Sequence, residues 1–367
     1  SQRFRLYLRI FIERCPASRY KADLCNHGFS RQSSYLGAEV SRRVKGAIMR
    51  RCFFYIFLLL FGFLLHPSVQ AADKIRIGFP DLAAPFVPLA VGDKRGFFQE
   101  EGIVAESIRM NPAVALQALV RGEIDYYTVL GPGVAAAIRG VPVKLVAAYV
   151  PVSPTALIAR PEIRSVAELK GKTIGINAYG GALEAMGRLI VKHFGIDPDK
   201  EVKFLATGPL DSRFGAMKQG LTLATLGGPP IDFLGEKLGF IVLMRAHELF
   251  SFPVSGLIAS EKKLKERPHE IGRVIKAGIK ANRYIRQNRD GTLPIMAQWL
   301  KIDTEMTART YDSSVKTFSE NLALPEDGVR LLIDDAKRMA KVNREVSLSD
   351  VADLSILRSV QRELGSR

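Results

Sequence analysis

The chain has 367 residues, 47% hydrophobic and 25% charged, with a formal net charge of +16. That composition suits a globular protein long enough for two cores. The charge sits at the start: residues 1–71 hold 12 of the 53 Lys and Arg against three acids (Glu13, Asp23 and Glu39), leaving +7 for the rest, and no arginine stripe with interleaved aromatics marks a nucleic-acid face.

Taken in order, residues 1–48 show no sustained period, and the first methionine is Met49. They read as upstream sequence rather than part of the folded protein. Arg50 and Arg51 precede an unbroken apolar run of 14 residues, 52–65, followed by the small-residue site Val69-Gln-Ala71. A positive region, an apolar region and a cleavage site in that order predict a signal peptide over 49–71, cut after Ala71. A membrane-spanning helix needs about 20 apolar residues. The cysteines, Cys15, Cys25 and Cys52, all fall before residue 72. The remainder therefore offers no disulfide, thiol nucleophile or cysteine metal site, and suits an oxidising compartment.

From residue 73 strands and helices alternate. Strands are predicted at 75–79, 103–108, 124–129 and 143–150, with helices at 87–94, 112–121 and 132–139. The fold class is α/β, with a mostly parallel sheet covered by helices. Thr155-Ala-Leu-Ile-Ala-Arg160 and Ser255-Gly-Leu-Ile-Ala-Ser260 then share the core Leu-Ile-Ala. Between them runs a second series: strands at 174–177, 202–205, 223–226 and 241–244, and helices at 182–194, 212–218 and 231–238. The repeated segments are read as two hinge crossings. Residues 72–158 and 256–367 then form lobe I, and 159–255 an inserted lobe II. Beyond 260 the chain is helical, at 262–266, 271–289, 293–300, 304–316 and 327–340, and should finish the core of lobe I. Trp299 reads as a core residue of that helical part.

The most informative stretch is Ser165-Val-Ala-Glu-Leu-Lys-Gly-Lys-Thr-Ile-Gly-Ile-Asn177-Ala-Tyr-Gly-Gly-Ala182. A short strand ends in a glycine loop at a helix start, where free amides and the helix dipole favour a negative group. By itself such a corner is an ordinary connection. The Gly171-Lys-Thr173 string is not a phosphate loop, because Val166 stands where the pattern needs glycine. His193, His247 and His269 make no metal-ligand spacing, and neither a nucleophile elbow nor G-x-G-x-x-G occurs. The neighbouring acids Glu100 and Glu101, and Asp334 and Asp335, read as surface charge. No cofactor, metal or catalytic residue is expected.

That stretch resembles the opening of the second domain in periplasmic solute-binding proteins of the nitrate/sulfonate/taurine type, a group that includes binders of thiamine precursors. Gly96-Phe-Phe-Gln-Glu-Glu-Gly102, Ala118-Leu-Val-Arg-Gly-Glu-Ile-Asp125 and Gly140-Val-Pro-Val-Lys144 carry the same resemblance. It implies the type II periplasmic binding protein fold. It also implies a monomeric, non-enzymatic periplasmic protein that captures a small solute between its lobes and delivers it to an ABC transporter permease. Carried over by position, the ligand-binding residues are Pro80, Asp81, Phe86, Leu130, Gly131 and Pro132 in the first lobe. In the second they are Asn177, Tyr179, Gly180, Gly181, Ala182, Gly208, Pro209, Gly227, Gly228 and Pro229. Neither 177–182 nor Gly131-Pro132 has Lys or Arg, so an anionic group would rely on backbone amides there, with Arg213 as a helper. Sulfonate-type relatives often carry Ser or Thr where this chain reads Asn-Ala-Tyr-Gly-Gly, and Trp near its Gly-Gly-Pro-Pro. These departures argue against a sulfonate or nitrate, and leave Tyr179 and Phe86 to flank a flat solute. Two alternatives are an enzyme of this fold, resembling the fungal thiamine-pyrimidine synthase, and a module presenting its solute to a receptor. The enzyme's cysteine-rich motif has no counterpart after residue 71.

Overall fold

The structure, a computed structural model, describes residues 72–179 and 181–365. The upstream segment, the expected signal peptide and Gly180 lie outside the described residues. Among those described, no helix is long and apolar enough to cross a membrane.

The first series comprises β1 (Asp73–Phe79), α1 (Val87–Lys94), α2 (Phe97–Glu100), β2 (Ile103–Arg109), α3 (Pro112–Arg121), β3 (Tyr126–Val129), α4 (Leu130–Ile138) and β4 (Val143–Val150). The second comprises β5 (Ala156–Ala159), β6 (Thr173–Ile176), α5 (Ala182–His193), β7 (Lys203–Ala206), α6 (Leu210–Lys218), β8 (Ala224–Gly227), α7 (Ile231–Lys237) and β9 (Ile241–Arg245). The chain then returns through β10 (Ser255–Ser260) and ends in α8 (Glu261–Glu266), α9 (Pro268–Gln287), α10 (Arg289–Leu300), α11 (Thr304–Ser314), α12 (Glu326–Ala340), α13 (Leu348–Val351) and α14 (Ser355–Glu363).

Two five-stranded sheets result, ordered β2-β1-β3-β10-β4 and β7-β6-β8-β5-β9. In each, one antiparallel strand sits fourth among parallel neighbours: β10 in the first sheet, β5 in the second. The repeated Leu-Ile-Ala thus marks two equivalent places. Leu157, Ile158, Ala159, Leu257, Ile258 and Ala259 are all wholly buried, as a strand covered on both faces requires. Each of these strands pairs on both sides within one sheet. The chain therefore changes sheet at 151–155, upstream of the expected boundary at 158, and returns before Ser255. The repeated strands are not themselves the crossings.

The C-terminal helices do finish the first core. Ile271, Val274, Ile275 and Ile285 of α9 and Leu357 and Val360 of α14 are buried against the first sheet's Ile75, Ile77 and Tyr149. The sequence reading stopped at residue 340 and missed α13 and α14. Lys144 Nζ donates to the carbonyls of Ser349 (2.8 Å) and Asp350 (2.7 Å), tying α13 to β4. Glu100 and Glu101, read from sequence as surface charge, both reach Lys280 Nζ, at 2.9 and 2.7 Å, and pin α2 to α9.

Candidate functional site

Strand pairing fixes where the crossings meet each sheet. Ser255, which opens β10, is opposite Val129 and Val150, the last residues of β3 and β4. Ala156, which opens β5, is opposite Gly227 and Arg245, the last residues of β8 and β9. Both crossings therefore leave and enter at the carboxyl edges of the parallel strands. From Val150 to Ala156 the chain can span at most about 21 Å. The crossings are also bonded to each other: Val254 N–H donates to Val150 O (2.9 Å), and Ala246 N–H to Thr155 O (2.8 Å). The loops after β1 and β3, and those after β6, β7 and β8, thus leave the same carboxyl edges that the crossings use, and ligand crevices of open α/β sheets lie at such edges.

On the first sheet's side, loop 80–86 is held from three directions. Ser255 Oγ donates to Pro85 O at 2.6 Å, Arg109 Nε to Pro80 O at 3.3 Å, and Trp299 Nε1 to Ala83 O at 3.2 Å. Trp299 is half-buried, with its ring 5.0 Å from Phe79, so the core residue expected from sequence is also a brace for the loop. Phe86 is only 5% exposed and packs into the first core, so it cannot flank a solute. Leu130 is fully buried as well. It opens α4, two residues before the expected start, and Gly131 and Pro132 follow it in the first turn, half-buried.

Asp81 is exposed, yet burial is the main influence on its carboxyl and raises its pKa, against the opposing charge of Arg109. The sign of the consequence is definite. A carboxyl raised above its ordinary value binds its proton more tightly in the folded state, so stability falls as pH rises from about 4 through the raised value. Asp81→Asn should therefore melt above the parent at pH 7, and the gap should close on acidification. A gap that is constant with pH would refute this.

On the second sheet's side, Asn177, Ala178 and Tyr179 are exposed beyond β6. Tyr179 is 64% exposed, its hydroxyl donating to Phe204 O at 3.2 Å, so the ring lies along the edge strand β7 with a face free. Gly181 is the N-cap of α5 at φ −87°, a conformation open to any residue, and Ala182 begins the helix. The glycine that demands its freedom is Gly208, at φ 82° between β7 and α6. Gly227 is buried against Ile231, and a Cβ on Gly228 would lie 3.7 Å from Pro154 O of the first crossing. Pro209 is exposed and Pro229 buried.

Arg213, one turn into α6, is 5% exposed, and its Nη1 donates to Leu226 O at 2.5 Å, next to the loop 227–229. Sequence reasoning underrated it and missed a second cluster. Asp232, fully buried at the start of α7, pairs with Arg245 at the end of β9. Arg245 and Arg309 both lie over the Phe233 ring, 5.6 and 4.2 Å from its centroid. Arg309 belongs to α11, yet it also meets Glu236 of α7 at 2.5 Å. That contact ties α11 to α7 away from the crossings. Nothing in a linear pattern links α7 to α11, so only the fold reveals it. Grooves of about 520 and 680 Å³ run elsewhere, along α12 and residues 345–358. Arg330, which lines both, pairs with Glu326 at 2.5 Å, and Lys144 brings the amino end of β4, not a carboxyl end, to the second.

Among the described residues no group of three or more His, Cys, Asp or Glu could hold a metal. A protein of Brucella abortus (strain 2308) that carries a provisional binding-protein name is 26% identical over 289 residues, 76% of this chain and 88% of its own. The periplasmic aliphatic sulphonate binding protein SsuA of Escherichia coli superposes with a TM-score of 0.65 at 17% identity, covering 77% of this chain and 92% of that one. The periplasmic nitrate-binding protein NrtA of Synechocystis PCC 6803 gives 0.65 at 14%, covering 80% and 89%. These likenesses establish the periplasmic binding protein fold. The NMT1/THI5-like family model matches residues 84–291, more than half of the sequence, and the chain belongs to that family.

Proposed function

We propose that the protein binds one small solute between its two sheets and hands it to an ABC importer, without converting it. The observation that supports this is the pairing of both crossings with the carboxyl edges; on this reading loops 80–86, 130–132, 177–179, 207–209 and 227–229, with the helix start at 181–182, line one crevice. The helices α4, α5 and α6 begin there, so free amides are available without any metal. The signal-like segment at 49–71 supports a periplasmic location.

A solute touching both edges favours closure about 151–155 and 246–254, whereas one touching a single edge does not. Solutes released from the purified protein and identified by mass spectrometry supply the ligand. Re-added to the emptied protein, that ligand should reduce the radius of gyration in solution scattering and be recovered unchanged. An unchanged radius at saturation, or chemical turnover, would count against the proposal.

A further inference from the structure

Four charged side chains are buried among the described residues: Glu184, Arg213, Asp232 and Glu270. Three sit on a counter-charge. Glu184 is 2.8 Å from Arg188, Glu270 is 2.7 Å from Lys263 and 3.0 Å from Arg267, and Asp232 is on Arg245. Arg213 has no carboxylate within 4.0 Å among the described residues, and its Nε, shut off from water, has no hydrogen-bond partner. One backbone carbonyl, that of Leu226, is its recorded acceptor. A guanidinium carries five donors and cannot shed its charge at ordinary pH. Leaving it buried and unpaired is costly, and folding alone gives no reason to accept that cost when a methionine would fill the same volume.

The place of the charge matters as much as its burial. Leu226 is the penultimate residue of β8, so the guanidinium stands at the carboxyl edge of the second sheet. It lies one turn into α6, directly after Gly208-Pro209, and beside the loop 227–229 that approaches Pro154 of the crossing. We propose that Arg213 is the counter-charge for an anionic group on the solute, so that the ligand class is an organic anion, with the amino end of α6 adding amides to the same group. This rests on the reading of the crevice as a solute site and narrows it to a charge type.

Matched carboxylate and carboxamide pairs, such as benzoate with benzamide and succinate with succinamide, differ in charge more than in shape. Together with the solute released from the purified protein, they form the panel for calorimetry on the parent, on Arg213→Gln and on Gly208→Val. Binding should be confined to anions and should weaken about 10- to 100-fold in Arg213→Gln, the range expected for charge-assisted hydrogen bonds. Without any solute, Arg213→Met should melt at or above the parent temperature, since it removes an unpaired charge. Three results would each overturn the proposal: a neutral or cationic solute as the tight ligand, a panel in which no anion binds the parent better than Arg213→Gln, or an Arg213→Met variant that melts several degrees lower. Gly208→Val separates the two levels of inference. If it abolishes binding while Arg213→Gln leaves it intact, the crevice stands and the anion fails. If both folded variants bind like the parent, the crevice itself is wrong.

Discussion

Gly256→Val should leave no folded protein to study, and Gly256→Ala should lower stability by more than about 4 kcal/mol, the exceptional end of single-residue effects. A Cβ at Gly256 would lie 2.1 Å from the carbonyl oxygen of Ala147 and 2.9 Å from the Cα of Ala148. These are backbone atoms of β4, hydrogen-bonded within the sheet, and they cannot swing aside as a side chain can. The pairing of β10 with β4 is also irregular on both sides of Gly256, between Ser255 and Gly256 and between Leu257 and Ile258. Gly133 is a useful control: its added Cβ would meet Ile258 Cδ1 at 2.2 Å, and a side-chain tip can turn away. Gly133→Ala should therefore cost much less. Urea unfolding of both variants checks the ordering, and equal losses would show that the crowding at Gly256 is relieved by shifting β10.

Asp232→Ala is expected to cost about 3–5 kcal/mol, as breaking a buried ion pair commonly does. Asp232 has no exposed surface, and its partner Arg245 keeps 16% of its side chain in contact with solvent. Truncation strands that cation against Phe233, and Arg309 already occupies the same ring. The damage falls on α7, whose amino end borders the loop 227–229, so solute affinity should fall along with the melting temperature. The double variant Asp232→Leu, Arg245→Met removes both charges and should recover most of the stability. If the single and double variants melt alike, the pair contributes through packing and not through charge.

Much of this architecture was legible in the sequence because its signals are local. The predicted helix over 112–121 and the strand over 143–150 coincide with α3 and β4, since their apolar spacing is set by neighbours a few residues away. The repeated Leu-Ile-Ala pointed to two related segments. Their antiparallel insertion was invisible, because the direction of β10 depends on partners more than a hundred residues away. The site was legible as a set of loops and not as side chains. Phe86 and Leu130 carry no sequence mark that separates a ring or chain turned inward from one turned to the crevice. Glycine identity likewise gave no way to tell Gly181, which has ordinary dihedrals, from Gly208, which does not. A buried charge without a partner is defined by what surrounds it in space, so Arg213 gained its significance only once Leu226 and the paired Asp232, Glu184 and Glu270 were in place.

The insertion of β10 between β3 and β4 also orders events during biosynthesis. Until residue 255 has left the ribosome, the first sheet has a gap that its own contiguous residues cannot fill, with β3 and β4 each missing a hydrogen-bonded neighbour. All of the residues of the second sheet are made before the first can close. The nascent chain thus stays incomplete through roughly its first 250 residues. On the export proposed above, that delay keeps the amino-terminal half from becoming a finished globule before translocation.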